Sequence, residues 1–356
     1  MRIALLGLEK DFNPSAGRGP AVYIYNLYKN LLNTKNINVV KLSTRIPNLL
    51  GNGDSFTGNA ITFTLNNLLR NFQEFDLIHT LYFNLVYSPF KFRCPIITTV
   101  HDAREMVDIP LLKTNEESTI YKMIVHNIGM RALKSEFIIS VSSQTKEEVA
   151  NLGYPKNKIS VVNLGIDKNF LIDKLTAKTS KHKKFSIGYV GSFARNKNID
   201  FILDTSKILS KNSVNFYLWG AKNGNYLKLL EKNPEHINVN FMGFAPGERL
   251  IDIYDSFDVF TFPSLYEGFG LPILEAQSRG LPVIIYKYGK IPKEVRKYCF
   301  EAESPEHMAQ IIENIKENGY NEKLRKKSTE YARSFTWEKT AEETLKVYKK
   351  VLKCQK

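Results

Sequence analysis

The chain has 356 residues, of which 43% are hydrophobic and 24% are charged, as is typical of globular proteins. This length predicts two domains, each large enough for a hydrophobic core of its own. No apolar run is long enough to span a membrane, and charged residues from Glu9 onward interrupt the first apolar run too early for a signal peptide. Three widely spaced cysteines, Cys94, Cys299 and Cys354, predict neither a disulfide framework nor a zinc site, and we expect reduced thiols in a cytoplasmic protein.

The formal net charge of +14 is the one unusual bulk property. Lysines are concentrated between residues 173 and 184, where the apolar periodicity is lost, and this segment is predicted to be a linker. Two interpretations of the charge remain open: a solvated linker, or attraction to anionic lipid headgroups at a membrane surface. No nucleic-acid-binding motif accompanies the charge, so we expect no nucleic-acid partner.

The first half of the chain alternates strand-like and helix-like segments. Strands are predicted at residues 2–6, 39–42, 77–79, 96–100, 137–141 and 159–162. Helices are predicted between most of them, at residues 21–32, 116–133 and 145–152. Such alternation predicts a parallel sheet that is covered by helices on both faces.

A second alternation begins after the basic segment. Strands are predicted at residues 185–190, 215–219, 238–241, 259–262 and 283–285, and helices at 271–279, 305–317, 320–333 and 337–353. The predicted domains are residues 1–168 and 185–335, with a basic linker at 169–184 and a closing helix at 336–356. Ligands in sheets of this kind bind at the carboxyl ends of the strands.

The most informative motif runs from Glu267 to Glu275, between a predicted strand and a predicted helix. Gly268 and Gly270 let a ligand approach the backbone, and Pro272 is favourable in the first turn of a helix. Backbone amides at the positive end of a helix bind phosphates, and carboxylates accept hydrogen bonds from sugar hydroxyls. The arrangement therefore suits a nucleotide-sugar, although an ordinary strand–loop–helix with Glu275 placed by the helix dipole has the same pattern.

The spacing of two glutamates, with seven residues between them, resembles the signature of the family-4 (GT4) retaining glycosyltransferases of the GT-B superfamily. Further segments resemble that family in order along the chain, at residues 76–79, 99–102, 141–145, 162–167, 191–198, 280–283 and 335–338. The resemblance covers almost the whole chain. It implies an α/β protein with two doubly wound, Rossmann-like domains that face a central cleft. It also implies that the first domain binds the acceptor, that the second domain binds the donor, and that the closing helix at 336–356 returns to the first domain.

The resemblance assigns roles to residues of the second domain. Glu267 would hold sugar hydroxyls near the reacting carbon, and Glu275 would accept hydrogen bonds from the ribose diol. The backbone from Gly268 through Phe269 and Gly270 to Leu271 would assist. Residues 191–198 resemble the diphosphate loop, in which Ser192 follows Gly191 where the family often has an arginine. Arg195 and Lys197 would supply positive charge to the leaving phosphate.

Two candidate residues lie in the first domain. The segment Gly17-Arg18-Gly19 resembles the family's glycine-rich loop, with Arg18 in place of a glycine, and it lacks the third glycine of a dinucleotide-binding dehydrogenase. His101 follows the predicted strand 96–100, and the resemblance implies contact with the transferred sugar or the acceptor. A histidine in this position is also compatible with a purely structural role. His79, at a similar position, is predicted to be structural.

The resemblance, together with these residues, implies a retaining glycosyltransferase. The donor would be a UDP-, GDP- or ADP-sugar, and the acceptor a hydroxyl group of a lipid-linked or cell-envelope glycan. The chain has no Asp-x-Asp triplet, so we expect no metal and no other cofactor. A cytoplasmic enzyme that binds peripherally to the inner face of the membrane would fit the charge. Two alternatives remain: an epimerase or phosphorylase on the same fold, and a non-catalytic glycan- or lipid-binding subunit.

Overall fold

The computed structural model describes most of the chain and divides it into two compact units. One unit comprises Met1–Gly165 together with Trp337–Lys356, and the other comprises Ile166–Thr336. The described residues are 1–13, 19–43, 74–82, 94–104, 106–107, 130–172, 184–209, 214–221 and 238–354. The helix predicted at 116–133 lies almost wholly outside these ranges, as do most of the basic linker and the pair Gly17-Arg18.

The strands and helices of the first 165 residues alternate as predicted. The strands are β1 (Arg2–Gly7), β2 (Asn38–Ser43), β3 (Leu77–Thr80), β4 (Ile96–Val100), β5 (Phe137–Ser140) and β6 (Ile159–Val161), and the helices are α1 (Gly19–Leu32) and α2 (Ser143–Asn151). Helix α2 begins two residues before its predicted start because the Ser142 side chain accepts a hydrogen bond from the Thr145 amide and caps it.

The remaining residues contain a second set of alternating strands and then three consecutive helices. The strands are β7 (Phe185–Val190), β8 (Val214–Trp219), β9 (Val239–Gly243), β10 (Val259–Phe262), β11 (Val283–Tyr286) and β12 (Phe300–Ala302). The helices are α3 (Ile199–Ile208), α4 (Leu250–Asp255), α5 (Leu271–Ser278), α6 (Lys293–Arg296), α7 (Pro305–Asn318), α8 (Glu322–Arg333) and α9 (Trp337–Lys353). Helix α8 begins two residues later than predicted because Asn321 caps it, accepting from the Leu324 amide.

The first unit is built on a six-stranded sheet with the order β2-β1-β3-β4-β5-β6. Every strand pair is parallel. The central strands β3, β4 and β5 are buried at nearly every residue, as expected where both faces of a parallel sheet are covered. Helix α1 has an apolar side at helical spacing, and α9 packs against both α1 and β5.

The second unit contains another six-stranded parallel sheet, with the order β12-β11-β10-β7-β8-β9. Helix α8 packs against α5, and α7 packs against α3. Strands β7 and β10 are neighbours in this sheet, so the loops that follow them lie at the same edge. The predicted α/β architecture with two parallel sheets is therefore confirmed.

Candidate active site

The segment that carries Glu267 follows β10 and is held by backbone hydrogen bonds from both sides. Lys290 N–H donates to Leu265 O at 2.8 Å, and Glu267 N–H donates to Lys290 O at 2.9 Å. On the other side, Leu265 N–H donates to Asn196 O at 2.7 Å. These bonds fix the position of the Glu267 backbone, because two of them anchor the segment to Lys290 and the third anchors it to the loop that carries Asn196.

Lys197 forms an ion pair with Glu267. The Nζ atom lies 2.6 Å from Oε1, and the two side chains are only 16% and 10% exposed. Lys197 also lies over the ring of Phe262, 5.4 Å from its centroid. It ends a short 3-10 turn that begins at Arg195, and Asn198 then adopts a left-handed backbone conformation with φ 54° before α3 begins. The structure thus brings together two residues that the sequence assigned to the donor.

Residues 191–195 form the rest of the predicted diphosphate loop. Gly191 N–H donates to Trp219 O at 2.9 Å, and the hydroxyl of Tyr189 donates to Ser192 O at 2.6 Å. A Cβ atom on Gly191 would lie 2.7 Å from the Tyr189 hydroxyl, so a side chain at this position would disturb that hydrogen bond. The side chains of Ser192 and Arg195 are exposed to solvent.

Helix α5 begins directly after the glycines of the motif. Gly270 has a φ of 107°, a conformation that favours glycine, and Pro272 occupies the first turn, which starts at Leu271. The Phe269 side chain is buried and packs against Phe335, with ring centroids 6.1 Å apart. Phe269 can therefore serve a ligand only through its backbone, and the same is true of Gly268 and Gly270.

Glu275 lies just over one turn into α5 and interacts with Tyr254. The Tyr254 hydroxyl donates to Oε2 of Glu275 at 2.7 Å. Burial raises the pKa of Glu275 to about 7, with a further increase from the charge of Asp167, while the hydrogen bond from Tyr254 acts in the opposite direction. This carboxyl group therefore changes its charge close to neutral pH.

The two remaining candidates lie in the first unit. Gly19 begins α1 and is exposed. His101 follows β4, its Nε2 bonds to Leu81 O at 3.0 Å, and its ring packs edge-on against Tyr23, with centroids 4.9 Å apart. Burial lowers the pKa of His101 to about 4, so the ring is neutral at pH 7. A carbonyl oxygen can only accept a hydrogen bond, so the Nε2 atom that contacts Leu81 O must carry the proton. In the neutral ring Nδ1 is then an acceptor.

His79 is part of a buried hydrogen-bond network in the first unit. Its Nδ1 lies 2.6 Å from the hydroxyl of Tyr348 in α9, and its Nε2 lies 2.7 Å from Oγ1 of Thr99. Thr99 also bonds to the hydroxyl of Tyr23 at 2.9 Å. Burial lowers the pKa of His79 to about 3, which keeps it neutral. These contacts explain a structural role for this histidine.

Sequence reasoning missed the residues that support the motif. The side-chain amide of Asn196 donates to Tyr266 O at 3.1 Å, and Lys290 contributes through its backbone alone. The sequence does show an asparagine between two cations, Arg195 and Lys197, whereas a backbone contact leaves no signal in the sequence. Among the described residues, no three His, Cys, Asp or Glu side chains are grouped as metal ligands would be. None of the described helices is both long and apolar enough to cross a membrane.

Two protein-family models match the chain. The model for glycosyl transferases group 1 covers residues 172–335, and the model for Glycosyltransferase Family 4 covers residues 18–170. The chain belongs to the GT4-type glycosyltransferases. Among its curated relatives, the O-antigen chain mannosyltransferase B of Escherichia coli is 25% identical over 231 residues. That alignment covers 60% of this chain and 61% of the relative, which is less than two thirds of the relative's length.

Solved structures show that the fold is GT-B. Sucrose-phosphate synthase from Thermosynechococcus elongatus superposes with a TM-score of 0.75 at 18% identity, over 99% of both chains. Anabaena HepE in complex with UDP and glucose superposes with a TM-score of 0.68 at 18% identity, over 97% of this chain and 98% of that one. The prediction of a glycosyltransferase with this fold is confirmed.

Proposed function

We propose that this glycosyltransferase is a retaining, metal-independent enzyme that uses a nucleotide-sugar donor. The observation that carries the proposal is the buried ion pair between Lys197 and Glu267, close in sequence to the start of α5 and to Glu275. One cation, two carboxylates and a helix start are the groups that a diphosphate, a sugar and a ribose require. The UDP and glucose bound by Anabaena HepE are consistent with a donor of this class.

The roles follow from the chemistry of the groups. Lys197 stabilises the charge that develops on the departing phosphate, with help from Arg195 and the backbone amide of Ser192, whereas the Gly191 amide already donates to Trp219 O. When the diphosphate binds, it competes with Glu267 for the Lys197 ammonium, and the carboxylate becomes able to accept from sugar hydroxyls. Glu275 accepts from the ribose diol in its ionised form.

Retention of configuration requires the acceptor to attack from the face that the phosphate leaves. The acceptor oxygen bonds to the anomeric carbon as the bond from that carbon to the phosphate oxygen breaks, and that phosphate oxygen takes up the acceptor proton. An α-linked donor then gives an α-linked product. The charge on the leaving group would be compensated by side chains and backbone amides, so no metal is required.

The acceptor is proposed to be a hydroxyl group of a lipid-linked or cell-envelope glycan. The E. coli relative is described as a mannosyltransferase of the O-antigen chain, and the net charge of +14 favours a cytoplasmic enzyme held at an anionic membrane surface. His101 and Gly19, in the unit assigned to the acceptor, are proposed to contact the acceptor or the transferred sugar. The neutral His101 would do so as a hydrogen-bond partner rather than as a base.

A thermal-shift screen with UDP-, GDP- and ADP-sugars should first identify the donor, since ligand at about 100 times its dissociation constant adds about 2.7 kcal/mol of stability. The transfer reaction is then run with and without EDTA, and proton NMR of the product gives its anomeric configuration. We expect full activity in EDTA and a product with the configuration of the donor. Activity that is lost in EDTA and restored by magnesium or manganese, or an inverted product, would refute the proposal.

A further inference from the structure

A groove in the first unit combines basic side chains with an apolar floor. It lies between α2, β6 and α9 and has a volume of about 550 Å³, within the range of small-molecule sites. Ile159, Val162 and Val347 are buried beneath it. Neither family resemblance nor the proposed reaction gives this groove a role.

Four lysines from three different elements line the groove: Lys146 on α2, Lys156 in the turn before β6, and Lys346 and Lys350 on α9. Lysines often protect the free edge of a sheet against pairing with another chain. Edge protection would place lysines on the edge strand itself. The edge strand here is β6, and none of the four lysines belongs to it. Their convergence from separate elements instead indicates a binding site for an anion.

The charges in the groove are only partly neutralised. Lys156 pairs with Glu147 at 2.8 Å, and Lys346 pairs with Glu343 at 2.6 Å. Four ammonium groups and two carboxylates leave an excess of two positive charges, which matches a phosphate group carrying close to two negative charges at neutral pH. A single carboxylate would neutralise only half of this excess.

Contacts with neighbouring groups position one of the ammonium groups at the groove, and a backbone amide of β6 points to the free edge of the sheet. The Nζ of Lys350 lies 3.4 Å from Asn157 O and 4.8 Å from the centroid of the Phe137 ring, which holds this ammonium beside the groove. Val162 N–H donates to Ser140 O in β5, so the amide of Val161, one residue earlier, points to the opposite edge of β6. Asn157 also lines the groove.

We propose that this groove binds a phosphate-bearing ligand, either the headgroup of an anionic membrane lipid or a soluble phosphorylated molecule. Lys346 and Lys350 supply charge from one helix, Lys146 and Lys156 supply it from the opposite side, and the apolar floor accommodates the carbon atoms attached to the phosphate. The inference does not depend on the donor chemistry, because none of these residues belongs to the proposed donor site.

The test compares two double variants of the full chain. The first, Lys346→Gln with Lys350→Gln, removes two charges from the groove. The second, Lys323→Gln with Lys327→Gln, removes two charges at the same spacing from exposed positions of α8 and is the control. Glutamine has nearly the helix propensity of lysine, so both variants should fold, and circular dichroism with thermal unfolding checks this.

Two measurements distinguish the sources of phosphate. Vesicles that contain phosphatidic acid, whose headgroup is a phosphate monoester, test the lipid headgroup by co-sedimentation, with phosphatidylcholine vesicles for comparison. Inorganic pyrophosphate, titrated calorimetrically on a Lys197→Ala background to suppress the donor site, tests a soluble ligand. We expect the groove variant to bind threefold to tenfold more weakly, on the order of what two partly exposed charges contribute, in one of these measurements.

Weaker binding to vesicles alone would identify the lipid, and weaker binding to pyrophosphate alone would identify a soluble ligand. Added salt of about 0.5 M should reduce the binding further, because it screens charges beyond a few ångströms. Equal affinities of the groove variant and the unsubstituted chain in both measurements would overturn the inference. So would an equal loss in the groove variant and the α8 control, since that would reflect net charge alone.

Discussion

Lys197 Nζ and Glu267 Oε1 lie 2.6 Å apart, although 70 residues separate them in the chain. Both side chains are largely buried, so neither charge is well solvated. Removing one partner of such a pair leaves the other charge poorly compensated, which costs more than the pair itself contributes. The two residues must therefore be tested with substitutions that separate stability from turnover.

Glu267→Gln should lower turnover by about 10² to 10³, the range for loss of one polar group that acts on the transition state. The side chain keeps its size and one acceptor oxygen, so affinity for the free nucleotide should change little. Steady-state kinetics and calorimetry give the two quantities. Glu303→Gln, which removes a carboxylate from the exposed pair with Lys287, is the matched control and should be fully active. Unchanged turnover in Glu267→Gln would remove this residue from the site.

Gly289→Ala tests the backbone support of Glu267. A Cβ atom at Gly289 would lie 2.2 Å from the backbone oxygen of Ser264, so the loop must move and take Lys290 with it. We expect a loss of about 1–3 kcal/mol in the free energy of unfolding, as for other overpacked sites, and a lower turnover. Gly247→Ala is the control, because a Cβ atom there meets nothing within 4 Å. A stable, fully active Gly289→Ala would show that the contact with Lys290 does not position Glu267.

Glu275 should make stability depend on pH. Its pKa is raised from an ordinary value of 4.5 to about 7, so between these values the folded protein binds more protons than the unfolded chain. Stability therefore falls as pH rises through this window, by a few kcal/mol at most, and is constant above it. Glu275→Gln removes this titration, so the variant should not lose stability in the same way as pH rises. The difference in stability, variant minus unsubstituted chain, should therefore increase from pH 5 to pH 8 when both are measured by thermal unfolding. A difference that does not vary with pH would contradict the assignment.

The same titration should govern nucleotide binding. If ionised Glu275 accepts from the ribose diol, affinity for the nucleotide should increase as pH rises through about 7. Glu275→Gln should bind more weakly above this pH and should lose most of the pH dependence. Affinity measured from pH 6 to pH 8 decides the point, and an identical profile in both proteins would exclude Glu275 from the nucleotide site.

His101 should act as a positioned hydrogen-bond partner. The pKa of His101 is lowered to about 4, so this residue should not titrate near pH 6.5. Turnover should therefore vary with pH in the same way around 6.5 in the unsubstituted enzyme and in His101→Gln. His101→Ala removes the bond to Leu81 O and the ring contact with Tyr23, so we expect it to lose about 1–3 kcal/mol of stability together with activity. Substantial activity in His101→Gln would support positioning. A stable but inactive His101→Gln would indicate proton transfer instead.

The sequence predicted those features that depend on local patterns. The strands Ile96–Val100, Phe185–Val190 and Val259–Phe262 were predicted to the residue, because short apolar runs with clear breaks at both ends define buried strands. The bounds of the helix at 337–353 were also predicted correctly. Helix starts shifted by two residues where a serine or asparagine cap, rather than the apolar periodicity, decides the first turn.

The arrangement of the candidate site was harder to predict from the sequence. The sequence assigned Lys197 and Glu267 to the same ligand through a family resemblance, but it gave no indication that they pair with each other. Their contact depends on β7 and β10 being neighbours in the sheet, which periodicity does not encode. The supporting bonds from Lys290 are made by backbone atoms, which are the same in every residue type and leave no mark on the sequence.

The bond between His79 and Tyr348 has a consequence for synthesis of the chain. These residues are 269 positions apart, and the helix that carries Tyr348 covers a sheet whose strands all emerge from the ribosome far earlier. At about 5–20 residues per second, roughly 10 to 40 s pass between residue 165 and residue 353. During that interval α9 has not yet been synthesised, so His79 and the apolar residues beneath α9 are not covered by it. The first unit can therefore be completed only after the whole second unit has been synthesised, and we expect its surface beneath α9 to be exposed until then.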